Sequence, residues 1–389
     1  MFNKAVKYLN ANKAEKALAL FKKLPPYKEV LCNMGTCYRL LGDDQKAQDY
    51  YLKALDPKVP KTDNTFCETF PIALNNLGLI AYTYEDDALA VDLLHAALSA
   101  DPLYYDALWN LGNARLRQYC SGKYGNLKQC WDLYSYRFKR SSPVVLKSKK
   151  PMLHWDGRRV AHLCVMAEQG FGDQIMFGRY LKLAASRVDR LTIQTHERSK
   201  YLFSDYETCS DPSELDTDIG IGICDLGRIF NEEIPNGEWL RDKYIPKIKN
   251  GVLDIGCTWS GSTSHVNNRY RSANPSVFRR LESCGNLYTL NPTEAGTPGF
   301  TALKSGSWKD SLEELSKLDV VVSVDTSIVH LCGSVGMPCY VIMPVKNTDF
   351  RWGDSSCGMS NIWYPSVKVI RNRGTWEAAI QDVINDLRN

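Results

Sequence analysis

At 389 residues, 44% of them hydrophobic, the chain is long enough for two or three domains with cores of their own. No basic segment runs into an apolar one at the start and no apolar run approaches the ~18 residues of a membrane span, so neither a signal peptide nor a span is expected and a cytoplasmic location is the expectation. The 13 Cys are odd in number and include no C-x-x-C pair, which argues against a disulfide framework and a zinc site and points to buried free thiols. The formal charge of +4 divides unevenly: the first 150 residues carry 22 Lys and Arg against 15 Asp and Glu, a net of +7, and the remainder carries −3. Such a basic excess either draws an acidic partner or is simply a solvated helix surface.

The first third reads as a helical repeat. "VLCNMGTCYRLLGDDQKAQDYYLKAL" superposes on "LNNLGLIAYTYEDDALAVDLLHAALSADP" with Gly35 on Gly78, Ala47 on Ala90, Tyr51 on Leu94 and Ala54 on Ala97, and Pro102 at the closing position. Gly78 and Gly112 are 34 residues apart, the tetratricopeptide period, and "ALWNLGNARLR" supplies Trp109, Leu111 and Gly112 in order. Tyr8, Ala17 and Phe21 fit an earlier, degenerate copy. Small Gly and Ala let the two helices of a hairpin approach, and the large positions fill the gap to the next repeat. Gly35 and Gly78 are 43 residues apart, so an insertion around "KVPKTDNTFCETF" is expected as a loop. The array, residues 1–140, either recruits a peptide or other partner along its groove or braces the domain that follows.

From Val160 the pattern changes to apolar strands alternating with helices. "AHLCVMA" is a strand, "EQGFGDQIMFGRYLKLAASR" a Gly-rich turn entering a helix with Ile175, Met176, Tyr180 and Leu183 on one side, and "RLTIQTH" the next strand. Two halves follow, residues 150–245 and 250–389, each opening with a strand and a turn of small residues; the second begins "DIGCTWSGSTSHVNNRYRS". Later, "DVVVSVDTSIVHLCGSVGMPCYVIMP" runs Val320 to Val324 without alternation, a strand buried on both faces, into a helix over about Ile328 to Val335 that Asp325, Thr326 or Ser327 can cap, with Gly336 as the stop and Cys339 to Met343 as a second buried strand. The fold class expected is an α-solenoid followed by an α/β domain of two facing Rossmann-like lobes, with the ligand between them.

In order along the chain, "WDGRRVAHLCVMAEQGFGDQIMFGRYL", "IGCTWSGSTSHVNNRYRS", "LDVVVSVDTSIVHLCGSVGMPCYVIMP", "DFRWG" and "IWYPSVKVIRN" resemble the bacterial tetratricopeptide-repeat glycosyltransferases, whose catalytic part is similar to the ADP-heptose heptosyltransferases and more distantly to O-linked N-acetylglucosamine transferase. "CWDLYSYRFKR" resembles the segment that joins array to catalytic domain in that family, and the family's Asp-Trp-Arg-Trp stands here as Asp349, Phe350, Arg351, Trp352. The resemblance implies a GT-B fold, a first lobe on the acceptor side, a second on the nucleotide-sugar side, and transfer from a nucleotide-sugar donor. It also implies that Asp173, which matches the Gly-Asp of the heptosyltransferases, carries the catalytic carboxylate. The departures are the Phe at 350 and Cys332, Gly333, Ser334, Val335, Gly336 for the family's Ala-Gly-Ala-Leu-Gly.

Glycosyl transfer needs a base for the acceptor proton and positive charge for the departing diphosphate. Asp173 is the expected base, with helix capping as the structural alternative, and Glu168 is the second choice. Gln169, Gly170, Phe171 and Gly172 form the cleft turn that carries it. On the donor side the expected residues are the Trp259-Ser260-Gly261 turn, Arg269 and Arg271 as planar cations, and the Asp325-Thr326-Ser327 helix start with His330 one turn inside. Asp325 either caps the helix or holds an Arg, and His330 is either a donor ligand or a core histidine. The sole Asp-x-Asp triplet, Asp216-Thr217-Asp218, reads as a solvated loop, so no metal and no cofactor beyond the nucleotide sugar are expected. The acceptor is favoured as a protein or glycan, recruited by the array. A hydroxylated base in DNA is the alternative, and a non-catalytic binding scaffold is the rival class. The final "TWEAAIQDVINDL" is an amphipathic helix expected to cross back to the first lobe.

Overall fold

A computed structural model describes residues 1–61, 69–146, 148, 151–232, 234–248, 251–262, 268–291, 296–304 and 306–389, with the backbone alone at Thr69 and Pro212. The chain divides into two units, Met1–Gln118 with Asp132–Pro143, and Tyr119–Trp131 with Val144–Asn389.

The first unit is built of antiparallel helix pairs: α1 (Phe2–Asn10) with α2 (Ala14–Phe21), α3 (Lys28–Leu40) with α4 (Asp44–Leu55), and α5 (Thr69–Thr83) with α6 (Asp87–Ala100), followed by most of α7 (Tyr105–Cys120); α8 (Leu127–Tyr134) passes from the second unit into the first. The repeat register is visible in what each glycine touches. A Cβ on Gly35 would stand 2.7 Å from the Tyr51 ring, one on Gly78 3.0 Å from the Leu94 side chain, and one on Gly112 2.7 Å from the Tyr134 nitrogen. The helix starts repeat as well: Asp43 accepts from the Lys46 N–H and Asp86 from the Leu89 N–H, each capping the second helix of its pair. Ala17 and Phe21 of the degenerate first copy are fully buried with Ala5. A buried Arg117 ties α7 to the preceding hairpin through the Asp87 carboxylate and the Tyr82 carbonyl. The expected insertion is centred on residues 62–68, which lie outside the described residues.

The second unit holds two parallel sheets. The first contains β1 (Leu153–His154), β2 (Val160–Met166), β3 (Val188–Gln194), β4 (Glu207–Cys209) and β5 (Ile219–Gly222) in the order β1-β5-β2-β3-β4. The second contains β6 (Leu253–Thr258), β7 (Gly285–Thr289), β8 (Thr301–Ala302), β9 (Val320–Val324), β10 (Cys339–Met343) and β11 (Val367–Arg371) in the order β11-β10-β9-β6-β7-β8. All five residues of β9 and of β10 are buried, as a non-alternating apolar run requires when helices cover both faces. In each sheet the chain leaves in one direction and later resumes on the other side of its first long strand. The topological switch points therefore lie between β2 and β5 and between β6 and β9, and in such sheets ligands bind outside the carboxyl ends of the strands at those points.

Two expectations are corrected. The helix after β2 is not continuous: Phe171–Phe177 is α-helical, Gly178–Tyr180 tightens to 3-10 geometry, and Leu181–Ala185 resumes. Gly178 is pressed against the Trp239 ring there, and the altered phase turns Leu183 to solvent at 40% exposure while Ile175, Met176 and Tyr180 stay buried. The final helix, Trp376–Arg388, packs on the second sheet and not on the first lobe. Its Ala379, Ile380, Val383 and Ile384 enter the core formed by Ile255, Val320 and Tyr340, and Asp386 accepts from the Tyr340 hydroxyl. An apolar stripe seeks the nearest apolar face, which the adjacent β11 and the second sheet supply.

Trp131 sits at the meeting of the lobes, with ring centroids 5.5 Å from Phe177 of the first lobe and 6.3 and 6.4 Å from Phe350 and Trp363 of the second. Twelve cysteines among the described residues are free thiols, nine of them buried, so no disulfide framework joins them; Cys67 lies outside the described residues. Among the described residues no helix is long and apolar enough to cross a membrane.

Candidate active site

β2 delivers the chain to Ala167 and Glu168, then to Gln169 at φ 56°, a left-handed conformation uncommon outside glycine, and the helix starts at Phe171. Asp173 stands at the third helical position and its Oδ2 accepts from the N-cap Gly170 N–H at 3.0 Å, so it braces the helix start without capping the helix's own first N–H groups. Its Oδ1 accepts from Nη2 of Arg351 in the other lobe. A carboxylate has about four lone-pair positions, and these two bonds leave others open; the side chain keeps 17% exposure. Glu168 is placed differently: it is buried, and its Oε1 accepts from the Cys224 N–H at 3.1 Å, tying the end of β2 to the turn after β5. Gln169 Nε2 approaches the Cys224 sulfur at 3.7 Å, and Phe171 lies edge-on to Trp308 of the second lobe at 5.5 Å.

Gly172 answers a steric demand rather than a conformational one. A Cβ there would stand 2.8 Å from Cδ2 of His330 and 3.6 Å from Cα of Ser327. The first-lobe helix start and the second-lobe helix Ser327–Val335 therefore meet at van der Waals distance.

That second helix begins at Thr326 with no side-chain cap, because Thr326 Oγ1 is engaged with Ser323 Oγ at 3.1 Å. Asp325 does not cap it either; its Oδ1 accepts from the Trp352 indole at 3.0 Å. Burial pushes the Asp325 carboxyl up to about 6, reinforced by Asp349 and opposed by Arg271 and then the Trp352 hydrogen bond and Arg351. The helix ends at Gly336, left-handed at φ 71°, as a C-cap glycine does. His330 is buried, stacked on Trp352 at 5.5 Å, with Nδ1 3.0 Å from the Tyr364 hydroxyl. Burial, and then the Arg351 charge, push its imidazole down to about 3, so it is neutral at physiological pH.

At the end of β6, Trp259 is a core residue, fully buried against Phe278 and Phe300, and positions the turn rather than lining it. Asn291 fixes that turn, accepting from the Trp259 N–H and donating to the Ser260 carbonyl and hydroxyl. Gly261 makes room for a guanidinium: a Cβ there would stand 2.7 Å from Nη2 of Arg271. Arg271 Nε is buried and has no hydrogen-bond partner among the described residues. Arg269 is not in this cluster; it is exposed and donates to the Tyr270 hydroxyl at 2.8 Å. Asp216 of the Asp-Thr-Asp triplet is exposed and paired with Arg190 and His162, while Thr217 is buried. No cluster of three His, Cys, Asp or Glu that could hold a metal occurs among the described residues. A cavity of about 410 Å³ lies elsewhere, against Met152 and, in the first sheet, His154 and Met166, and contains none of the residues named for the site.

Sequence reasoning missed the role of the segment after β10. Asp349 holds Arg351 through 2.8 and 2.9 Å contacts, Trp352 covers His330, and Tyr364 fixes its ring. Arg351 drives the Asp349 carboxylate down against the upward push of burial. The available signal was a short run mixing acid, Arg and aromatics, "DFRWG", directly after a buried strand.

No protein-family model matches the chain, and no curated protein matches it. Among solved structures, a mutant O-GlcNAc transferase from Thermobaculum terrenum is 13% identical, covering 100% of this chain and 89% of that one at a TM-score of 0.37. The dodecameric iron-containing heptosyltransferase TibC in complex with ADP-D-beta-D-heptose is 13% identical, covering 59% of this chain and 77% of that one at a TM-score of 0.40. The MamA structure is 20% identical, covering 35% of this chain and 74% of that one at a TM-score of 0.26. These are proteins of tetratricopeptide and glycosyltransferase type, and the fold assigned here, a tetratricopeptide array with a GT-B pair of Rossmann-like lobes, rests on the stacked hairpins and the two parallel sheets themselves.

Proposed function

We propose that the chain is a glycosyltransferase that moves a sugar from a nucleotide-sugar donor to an acceptor hydroxyl. The observation that carries this reading is the approach of the two strand-to-helix turns, which brings the Asp173 carboxylate next to an uncapped helix start whose Asp325 and His330 feel the Arg271 charge. An anion suits the second turn: its helix presents N–H groups that no side chain caps, and Arg271 adds a permanent charge with a nitrogen to spare. The diphosphate of the donor belongs there, with neutral His330 able to offer a hydrogen bond without adding charge.

In the reaction proposed, the bond between the anomeric carbon and the diphosphate oxygen breaks as the acceptor oxygen bonds to that carbon. The electron pair leaves with the diphosphate, where Arg271 and the helix start stabilise it, and the acceptor proton passes to an open lone pair of Asp173. Glu168, buried against the Cys224 N–H, is assigned to shaping the turn. The repeat array is assigned the recruitment of the acceptor, favoured as a protein or glycan. Incubation with a panel of nucleotide sugars should show slow donor hydrolysis with one of them, and binding of the matching nucleoside diphosphate. No hydrolysis and no binding across the panel would leave a scaffold as the better reading.

A further inference from the structure

We propose that Arg351 is the positioning residue for Asp173, carrying the control of the base from the second lobe into the first; this rests on the transferase reading. The guanidinium spans the lobes. Nη2 donates to Asp173 Oδ1, Nη1 donates to both oxygens of Asp349, and Nε points at the Met176 sulfur 2.9 Å away. The same Asp349 Oδ1 accepts the Arg351 backbone N–H at 3.0 Å, so the side chain is locked against its own backbone. Arg351 is buried over the Phe350 ring, in a turn held by Asp349 as its cap.

Two arginines thus divide the work. Arg271 has a nitrogen to offer an incoming anion, whereas every nitrogen of Arg351 already faces a protein acceptor or sulfur. A planar fork is what the position needs, because one group must reach carboxylates on two elements at fixed directions, which a lysine ammonium cannot reproduce. Asp173 sits on a helix of the first lobe, where the Gly170 N–H holds Oδ2, and Arg351 on a turn of the second, so Oδ1 is held only while the lobes are together. Arg351 acts through Asp173 and not on the donor.

The test is a cycle of Arg351→Met, Arg351→Lys, Asp173→Asn and the double variant Asp173→Asn with Arg351→Met. Each is assayed for donor turnover and, by calorimetry, for nucleoside-diphosphate affinity, with Arg271→Ala alongside. Arg351→Met should keep nucleoside-diphosphate affinity within about twofold, which also shows that it is folded, while kcat falls by about 100-fold, the scale of a small misplacement of a reacting group. Arg351→Lys should recover part of that loss. The double variant should be no slower than Asp173→Asn alone, since the guanidinium has nothing left to position. Losses that multiply in the double variant, or an Arg351→Met affinity loss matching that of Arg271→Ala, would overturn the assignment. A wild-type protein that neither binds a nucleoside diphosphate nor turns over a nucleotide sugar would remove the transferase reading itself, and the inference with it.

Discussion

The two lobes each end a central strand in a turn and a helix start whose first N–H groups no side chain caps, yet they place their acids in opposite ways. In the first lobe the helix supplies its own anion: Asp173 accepts from the Gly170 N–H and is held by Arg351. In the second lobe the hydroxyl of the N-cap, Thr326, turns inward to Ser323, and the neighbouring Asp325 is taken by the Trp352 indole, so no side chain caps the start. A carboxylate gripped by a backbone N–H and a guanidinium is held in a fixed direction. A helix start that keeps no acid of its own against its N–H groups is a place for a ligand anion. The difference teaches that turns beside the two switch points acquire different chemistry through a few side chains.

The strongest way to break the comparison is Asp173→Asn. An amide can still accept from the Gly170 N–H, so the turn survives while the basic lone pair is lost. Turnover should fall by roughly 100- to 10,000-fold with donor affinity little changed. Near-normal transfer, measured with the donor dissociation constant on the same variant, would make Asp173 a cap alone.

On the opposite turn, Arg271→Ala should weaken nucleoside-diphosphate binding by roughly 1.5 to 3 kcal/mol, the range for hydrogen bonds to charged groups. Calorimetry showing unchanged affinity would move the diphosphate away from that helix start.

The approach of the two turns is sharpened by Gly172→Ala. The new Cβ meets the His330 ring at 2.8 Å, and that ring cannot give way readily because Trp352 covers one face and Tyr364 binds Nδ1. A stability loss of about 1–3 kcal/mol is expected in urea unfolding, the cost of overpacking. Gly170→Ala, whose Cβ meets only Asp173 Oδ2 at 3.4 Å, should cost less. Equal losses would mean that the lobes do not meet at Gly172.

The smallest effect concerns the acid in the second turn. Asp325 titrates at about 6, raised by burial and then by Asp349. It is ionised at pH 8, and a diphosphate placed beside it disfavours that form further, so binding takes up protons there. Nucleoside-diphosphate affinity should therefore rise as pH falls from about 8 to 6, by at most about tenfold per pH unit from this group. Asp325→Asn should remove that part of the slope, seen as reduced proton uptake in calorimetry across buffers of different ionisation enthalpy. An unchanged slope would detach Asp325 from the anion.

Much of this was legible along the chain. The glycine spacing carried the hairpins, because a close helix contact leaves no room for a side chain at Gly35, Gly78 or Gly112. The unalternating run Val320 to Val324 carried the buried parallel strand, and Gly336 its helix stop, since both are local consequences of burial and φ. Asp173 was named from its turn and from the resemblance, and Arg271, together with Arg269, from its place after a strand and turn. Other features depended on residues brought together from far apart. Neither the Arg351 pair with Asp173, 178 residues away, nor the indole that Trp352 gives to Asp325 has a local signature. Arg269 and Arg271, equal as letters, separate because only Arg271 passes under Gly261. The last helix shows the same limit: its stripe demanded an apolar face, but only the tertiary structure decided which sheet provided one. Local backbone preference and burial pattern are encoded residue by residue, whereas the partner of a charge or an apolar stripe is set by which surfaces the whole fold brings within reach.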